Sequence, residues 1–252
     1  MVKVPAREES YKGSNQLILT HLIYYQVPDP VAFFPLNGIF GTREIQDRAS
    51  EGIQSDVVLT TGQNGYDSGS YEFSGTLNSY IEFSNSDGGV LDVRNSITLL
   101  FWVYNVGQDG PLLQYNTGAS DEWGVTFWLF NERPFVAFNK RSDYQPPSRL
   151  VADAPLDQNV WTFVGATYDH TSGEQNLWVD GVLAKTSNIG ANLELATQDS
   201  VRIGARDVFC NDPFGYFTGR ITQVGVYDVA LTQAQVQEIK GKIRHKHGIR
   251  EL

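Results

Sequence analysis

Eight consecutive residues, Ile97 to Tyr104, read ITLLFWVY. A run this rich in β-branched and aromatic side chains, bounded by Asn95-Ser96 and Asn105, is a strand. Ile97, Leu99, Phe101 and Val103 fall on one face, and Leu100, Trp102 and Tyr104 on the other. Both faces are apolar. A strand of this kind is buried on both sides, or lends one side to a ligand. Whatever the chain folds into must cover both faces of this strand, with its own residues or with a ligand. Similar strands are expected at Trp123 to Phe130, Phe135 to Asn139 and Val160 to Tyr168.

Turn signals separate these runs. Asp180-Gly181 divides NLWV from VLAK and predicts a two-residue hairpin of the type I′ kind. Asp169 to Gly173 predicts a longer hairpin loop, and Asn64-Gly65, Asp87-Gly88-Gly89 and Asp109-Gly110-Pro111 predict further turns. Strands alternating with turns imply an all-β fold, a sandwich of antiparallel sheets. One helix is expected from Leu231, with Thr232 as N-cap, Gln235 completing a capping box, and fraying near Gly241. The chain then divides into an N-terminal arm or edge strand (1–30), the sandwich (31–239) and a basic tail (240–252).

Composition removes several classes of function. The 252 residues carry a formal net charge of -10, which gives no field to attract nucleic acid or an anionic membrane. The longest apolar stretch, Leu17 to Tyr25, is far short of the roughly 20 residues that span a bilayer. The opening MVKVPAREES lacks the apolar core of a secretory signal. Cys210 is the only cysteine, so no internal disulfide forms. The arm, Cys210 and the basic tail are three routes by which copies could associate into a homo-oligomer.

Three ordered stretches carry a resemblance. They are Ser96-Ile97-Thr98 through Phe101-Trp102-Val103; Val160-Trp161-Thr162-Phe163 through Leu177-Trp178-Val179-Asp180-Gly181; and Arg202-Ile203-Gly204-Ala205 through Gly219-Arg220-Ile221 to Ala230-Leu231-Thr232. Together they resemble the laminin-G-like jelly roll of the concanavalin A-like lectin/glucanase superfamily. Gly69 to Gly75 and Tyr80 to Phe83 are similar to the family's earlier strand pair. The resemblance implies a two-sheet antiparallel jelly-roll sandwich with a short C-terminal helix. It also implies an extracellular setting and a ligand bound on the concave face or at the loop rim. That ligand would be an extracellular protein or matrix component, with a glycan as the alternative.

Catalysis is not expected. A retaining glycosidase needs two carboxylates about 5–5.5 Å apart, hence acids spaced by two on a strand. Glu44, Asp47 and Glu51 are spaced by three and four, and Glu72 and Glu82 are isolated. His21 and His170 have no obvious partner, and His245 and His247 lie in the tail. The resemblance implies a calcium ion in the loops, with Asp47 its early acidic ligand. The positions where relatives place a second acid are Thr222 and Gln223, both neutral; Asp228 lies nearby. A turn-stabilising aspartate is the other reading of Asp47. Asn85, Asp87 and Asp92 form another oxygen-rich loop. For a ligand, Trp123 after Asp121-Glu122, and Arg141, Asp143 and Tyr144 before Pro146-Pro147, combine aromatic and polar groups in loops. Trp102 and Trp128 are expected in the core.

Overall fold

The computed structural model describes residues 27–116, 123–145, 148–206 and 215–245. Cys210, His21, His247, most of the N-terminal arm and the end of the basic tail lie outside them.

Two antiparallel sheets face each other. The larger contains β1 (Ala32–Phe34), β3 (Val57–Thr60), β4 (Ser70–Ser74), β6 (Ile97–Gln108), β11 (Trp161–Tyr168), β12 (Glu174–Val179), β13 (Val182–Asn188) and β15 (Thr218–Tyr227). Its order is β13-β12-β11-β6-β15-β4-β3, with β1 also on β15. The smaller contains β2 (Ile53–Ser55), β5 (Tyr80–Phe83), β7 (Gly110–Tyr115), β8 (Thr126–Phe130), β9 (Arg133–Ala137), β10 (Arg149–Val151) and β14 (Val201–Ile203). Its order is β10-β9-β8-β7-β14-β5-β2.

The double-faced strand resolves as burial on both sides. Ile97, Leu99, Phe101 and Val103 of β6 enter the core between the sheets. Leu100 and Trp102 point outward into a second cluster with Phe163, Trp178 and Tyr227. Helix α1 (Gln233–His245) closes that cluster with Val236 and Ile239. The helix starts as its sequence predicts: Thr232 N–H donates to Gln235 Oε1 at 2.9 Å, and Gln235 N–H donates back to Thr232 Oγ1 at 3.4 Å. It does not fray at Gly241 but continues to His245. Lys240 ties this turn to the sheet, with Nζ 2.7 Å from Asp180 Oδ1 and 3.1 Å from Asp180 O. Asp180 and Gly181 both have positive φ, as the type I′ turn between β12 and β13 requires.

Strand β15 is divided by a bulge. Its first half pairs with β4 through Ile221↔Tyr71, and its second half pairs with β1 from Val224↔Phe34. The register with β6 shifts between Thr222 and Gly225, where Gln223 takes a positive φ. Thr222 Oγ1 donates to Pro35 O and Gly69 O, both at 2.9 Å, and so fastens the changeover. Thr222 and Gln223, both neutral, therefore form a backbone joint.

Because α1 completes the burial of Trp102, truncating its inner face should loosen the whole eight-stranded sheet. Ile239→Ala, at a position only 6% exposed, is expected to cost about 2–5 kcal/mol. The check is the midpoint of chemical unfolding, with retention of the wild-type slope showing that the folded state keeps its extent.

Candidate functional site

The outward face of the seven-stranded sheet carries a cluster of its own. On β8 and β9, Phe127 and Val136 enter the core, so Trp128 and Phe135 point out, where they pack with Ala137. Trp128 is buried as expected, but on this outer face and not between the sheets. Its Nε1 donates to Gln114 Oε1 on β7 at 3.2 Å. Trp123, half-buried just before β8, stacks on Trp128 with centroids 5.9 Å apart and planes 19° from parallel. Two guanidinium groups lie against these rings. Arg206 is 4.8 Å from the Trp123 ring and 5.6 Å from that of Trp128. Arg149, on end strand β10, is 5.8 Å from Trp123 and 5.9 Å from Phe135.

Asn139 joins this platform to the next loop. Its Nδ2 donates to Trp123 O at 2.6 Å and to Tyr144 O at 3.1 Å. Tyr144, with positive φ, closes a turn in which its N–H donates to Lys140 O at 2.8 Å. The Tyr144 hydroxyl accepts from Gln198 Nε2 and donates to Asp199 Oδ2 at 3.5 Å. The fold thus brings Trp123 and Tyr144 to one rim. Several buried polar atoms there have no hydrogen-bond partner: both amide atoms of Asn116, Trp123 Nε1, Asn139 Oδ1 and Gln198 Oε1.

Arg141 and Asp143 belong to the same turn but are already engaged. Arg141 binds Asp92 at 2.7 Å and Asp87 at 2.7 Å. Arg94 contacts the same two carboxylates, and Thr197 Oγ1 donates to Asp92 Oδ1 at 3.0 Å. The Asn85–Asp92 loop is therefore organised around arginines. Burial would raise the Asp92 pKa, but hydrogen bonds from Arg141, Gly88 N–H and Thr197 outweigh it and lower the value to about 2. Asp143 pairs with Lys140 at 2.7 Å and caps the Gln145 N–H at 3.0 Å.

The two acids expected on calcium lie elsewhere. Asp47 is exposed at positive φ in a turn, and its N–H donates to Glu44 O at 3.2 Å. Residues 43–48 form no strand, so the spacing of Glu44 and Asp47 has no two-faced meaning. Glu44 itself is buried and accepts from Phe33 N–H, Gln46 N–H, Arg48 N–H and Arg48 Nη2 at 2.7–3.0 Å. Burial would raise its pKa, but these bonds, led by Arg48, bring it down to about 2. Asp228 is exposed immediately after β15. Calcium takes six to eight oxygens. Among the described residues no three His, Cys, Asp or Glu side chains gather closely enough to hold a metal ion. Asp47 and Asp228 do not by themselves make such a cage. His170, without a partner in sequence, has Nδ1 3.1 Å from Leu193 O.

A separate depression of about 380 Å³ lies between residues 27–30, Phe33, Tyr227 and Ile239 of α1. Its lining is mostly apolar and gathers none of the unpartnered polar atoms found at the Trp123 rim.

A two-sheet antiparallel sandwich with one short helix and a polar, aromatic loop rim is the architecture of lectin-like jelly rolls. A laminin-G family model of the Concanavalin A-like lectin/glucanases superfamily matches residues 73–237, and the chain belongs to that superfamily. Pentraxin-related protein PTX3 from Homo sapiens and from Bos taurus is 28% identical over 100 residues, covering 37% of this chain and 26% of each relative. The chain thus matches about a quarter of those relatives' length. Among solved structures, the Botulinum neurotoxin serotype G binding domain aligns with TM-score 0.65 at 14% identity, over 89% of this chain and 53% of that one. The serotype D ligand binding domain in complex with N-acetylneuraminic acid aligns with TM-score 0.65 at 13% identity, over 85% and 51%. The binding domain of Paraclostridial Mosquitocidal Protein 1 aligns with TM-score 0.65 at 14% identity, over 85% and 52%. The chain spans about half the length of those structures, and at these identities the likeness is one of fold.

The buried carboxylates set an acid limit on stability. Asp92 and Glu44 have folded pKa values below their unfolded ones, so each contributes fully above the unfolded value and loses its contribution as pH falls toward 2. Each loss is on the order of 2–3 kcal/mol. The Asp92→Asn, Glu44→Gln double variant should be weaker at pH 6 and lose less between pH 5 and pH 2 than wild type. Urea midpoints across that range provide the check.

Proposed function

We propose that this chain is a non-catalytic extracellular recognition module whose ligand is a glycan, bound at the rim where Trp123 and Tyr144 meet. The half-exposed Trp123, stacked on Trp128 and joined through Asn139 to the Tyr144 turn, carries this reading. A sugar lays an apolar C–H face on an aromatic ring and spends its hydroxyls on amides and phenols. Asn116, Asn139 and Gln198 supply amide atoms with unused hydrogen-bonding capacity beside that ring. A toxin binding domain of similar fold was crystallised with N-acetylneuraminic acid, which favours a sugar in this chain too. The extracellular setting rests on the laminin-G and pentraxin likeness.

Geometry also argues against a glycosidase pair. Glu72 lies on β4 between core residues Tyr71 and Phe73, and Glu82 lies on β5 between core residues Ile81 and Phe83. The two acids therefore point away from the core on opposite sides of the sandwich. Glu72 is held by Arg220 at 2.9 Å and Glu82 by Arg202 at 2.7 Å. No single bond can lie between them.

A protein or matrix partner is the second reading. It is favoured by Ile53 on β2 and Val58 on β3, which expose 64% and 66% of their surface on the end strands of the two sheets. An exposed apolar end strand offers a template for pairing with another chain.

A broad glycan array, run with calcium and again with a chelator, separates the readings. The expected result is a family of related sugars bound in both conditions. Trp123→Ala should weaken that binding by about tenfold or more. Binding abolished by the chelator would bring a calcium ion, and Asp47 with it, into the site. Silence on the array with capture of a matrix protein would favour the second reading.

A further inference from the structure

Five arginines of the described residues are paired with acids. Arg48 faces Glu44, Arg94 and Arg141 face Asp87 and Asp92, Arg202 faces Glu82, and Arg220 faces Glu72. Arg149 differs. It projects from β10 onto Trp123 and Phe135, and no hydrogen bond or ion pair to a described residue engages its guanidinium. Its chain carries a net charge of -10, so acids to neutralise it are abundant. Among the described residues none is placed opposite it. The aromatic rings orient the guanidinium, and no described residue takes up its fork of donors.

A second cation reinforces the same spot. Arg206 is 5% exposed and stacks on both tryptophans. Beside them, Asn116 continues β7 on the same face as Gln114, is 2% exposed, and has neither amide atom partnered. Trp123 Nε1 is a further buried donor without an acceptor. A buried polar group left unpaired is costly, so a cluster of them marks a place where a ligand supplies the missing bonds. The cluster is rich in donors and sets the Arg149 guanidinium beside the partly exposed Trp123 ring.

We infer that the glycan bound at this rim carries a carboxylate, received by Arg149, while its ring lies on Trp123. The inference rests on the glycan reading above. The planar fork of an arginine takes both oxygens of a carboxylate in two parallel bonds, and a neutral hydroxyl uses only one. Such a carboxylate belongs to a sialic acid or to a hexuronic acid. The two share the chemistry that Arg149 would read.

Isothermal titration of the intact chain with matched sugars distinguishes the sources. The pairs are 3′-sialyllactose against lactose, and cellobiouronic acid against cellobiose. One acidic sugar is expected to bind at least about tenfold more tightly than its neutral partner, with a preference that shrinks as salt rises. Arg149→Gln should erase the preference and leave neutral-sugar binding in place. Arg133→Gln, which makes the same charge change at exposed Arg133 on β9, should leave it intact. Arg149 is exposed on an end strand, so its replacement leaves the core unaltered; an unchanged urea midpoint verifies this. Equal binding within both pairs, or a preference that survives Arg149→Gln, overturns the inference and leaves the glycan reading standing. An array silent to neutral and acidic sugars alike removes both.

Discussion

Burial of β6 on two sides is the constraint from which the architecture follows. Its inner residues need a second sheet, and Leu100 and Trp102 need a separate cover. A single sheet facing water would leave two large side chains exposed, each worth roughly 1.5–3 kcal/mol when buried. Helix α1 is that cover, and it is kept in place by little else in the sequence. Its capping box fixes where it begins, Val236 and Ile239 fix which face it turns inward, and Lys240 on Asp180 fixes its far end to the β12–β13 turn.

The asymmetry between the two outer faces decides where recognition chemistry can reside. On the eight-stranded sheet, Trp102 and Phe163 lie under the helix, and Tyr104 meets an arginine, Arg220, that Glu72 already holds. On the seven-stranded sheet, Trp123 and Phe135 meet Arg149, which no described acid holds. The bulge at Thr222 and Gln223 serves the first face, because it lets β15 exchange β4 for β1 and so seats the Glu44–Arg48 turn against Phe33. Thr222 and Gln223 are spent on backbone geometry, and the one buried acid of the loop, Glu44, is engaged by Arg48 and backbone amides.

The strands were legible because their pattern is local. The strand expected over Val160 to Tyr168 forms at Trp161–Tyr168, and Asp180-Gly181 turns as its residue types require, whereas the one expected from Trp123 begins only at Thr126. The helix start was legible from Thr232 and Gln235 for the same reason. Its end was not. Gly241 weakens a helix only modestly, and packing of Ile239 against the sheet carries the element past it. At the candidate site, Trp123 and Tyr144 were visible as aromatic residues in polar loops. What the sequence does not display is that Arg141 is committed to Asp87 and Asp92, 54 and 49 residues away in the chain. Arg149, Arg206 and Asn116 gave no local signal either. Each gains meaning only from cross-strand neighbours, and register between distant strands is not written in any one stretch. The period-two pattern around Trp128, apolar outward as well as inward, was the one available hint that this second sheet face is also occupied.

The position of Val27 has a consequence for how the domain is presented. Val27 packs into the cluster beneath α1, on the outer side of the eight-stranded sheet. Both ends of the described polypeptide therefore leave from that side. The tryptophan–arginine surface lies on the far side, across the full thickness of the sandwich. The described ends and the tryptophan–arginine surface therefore occupy opposite faces, so a contact made by the α1 face leaves that surface uncovered.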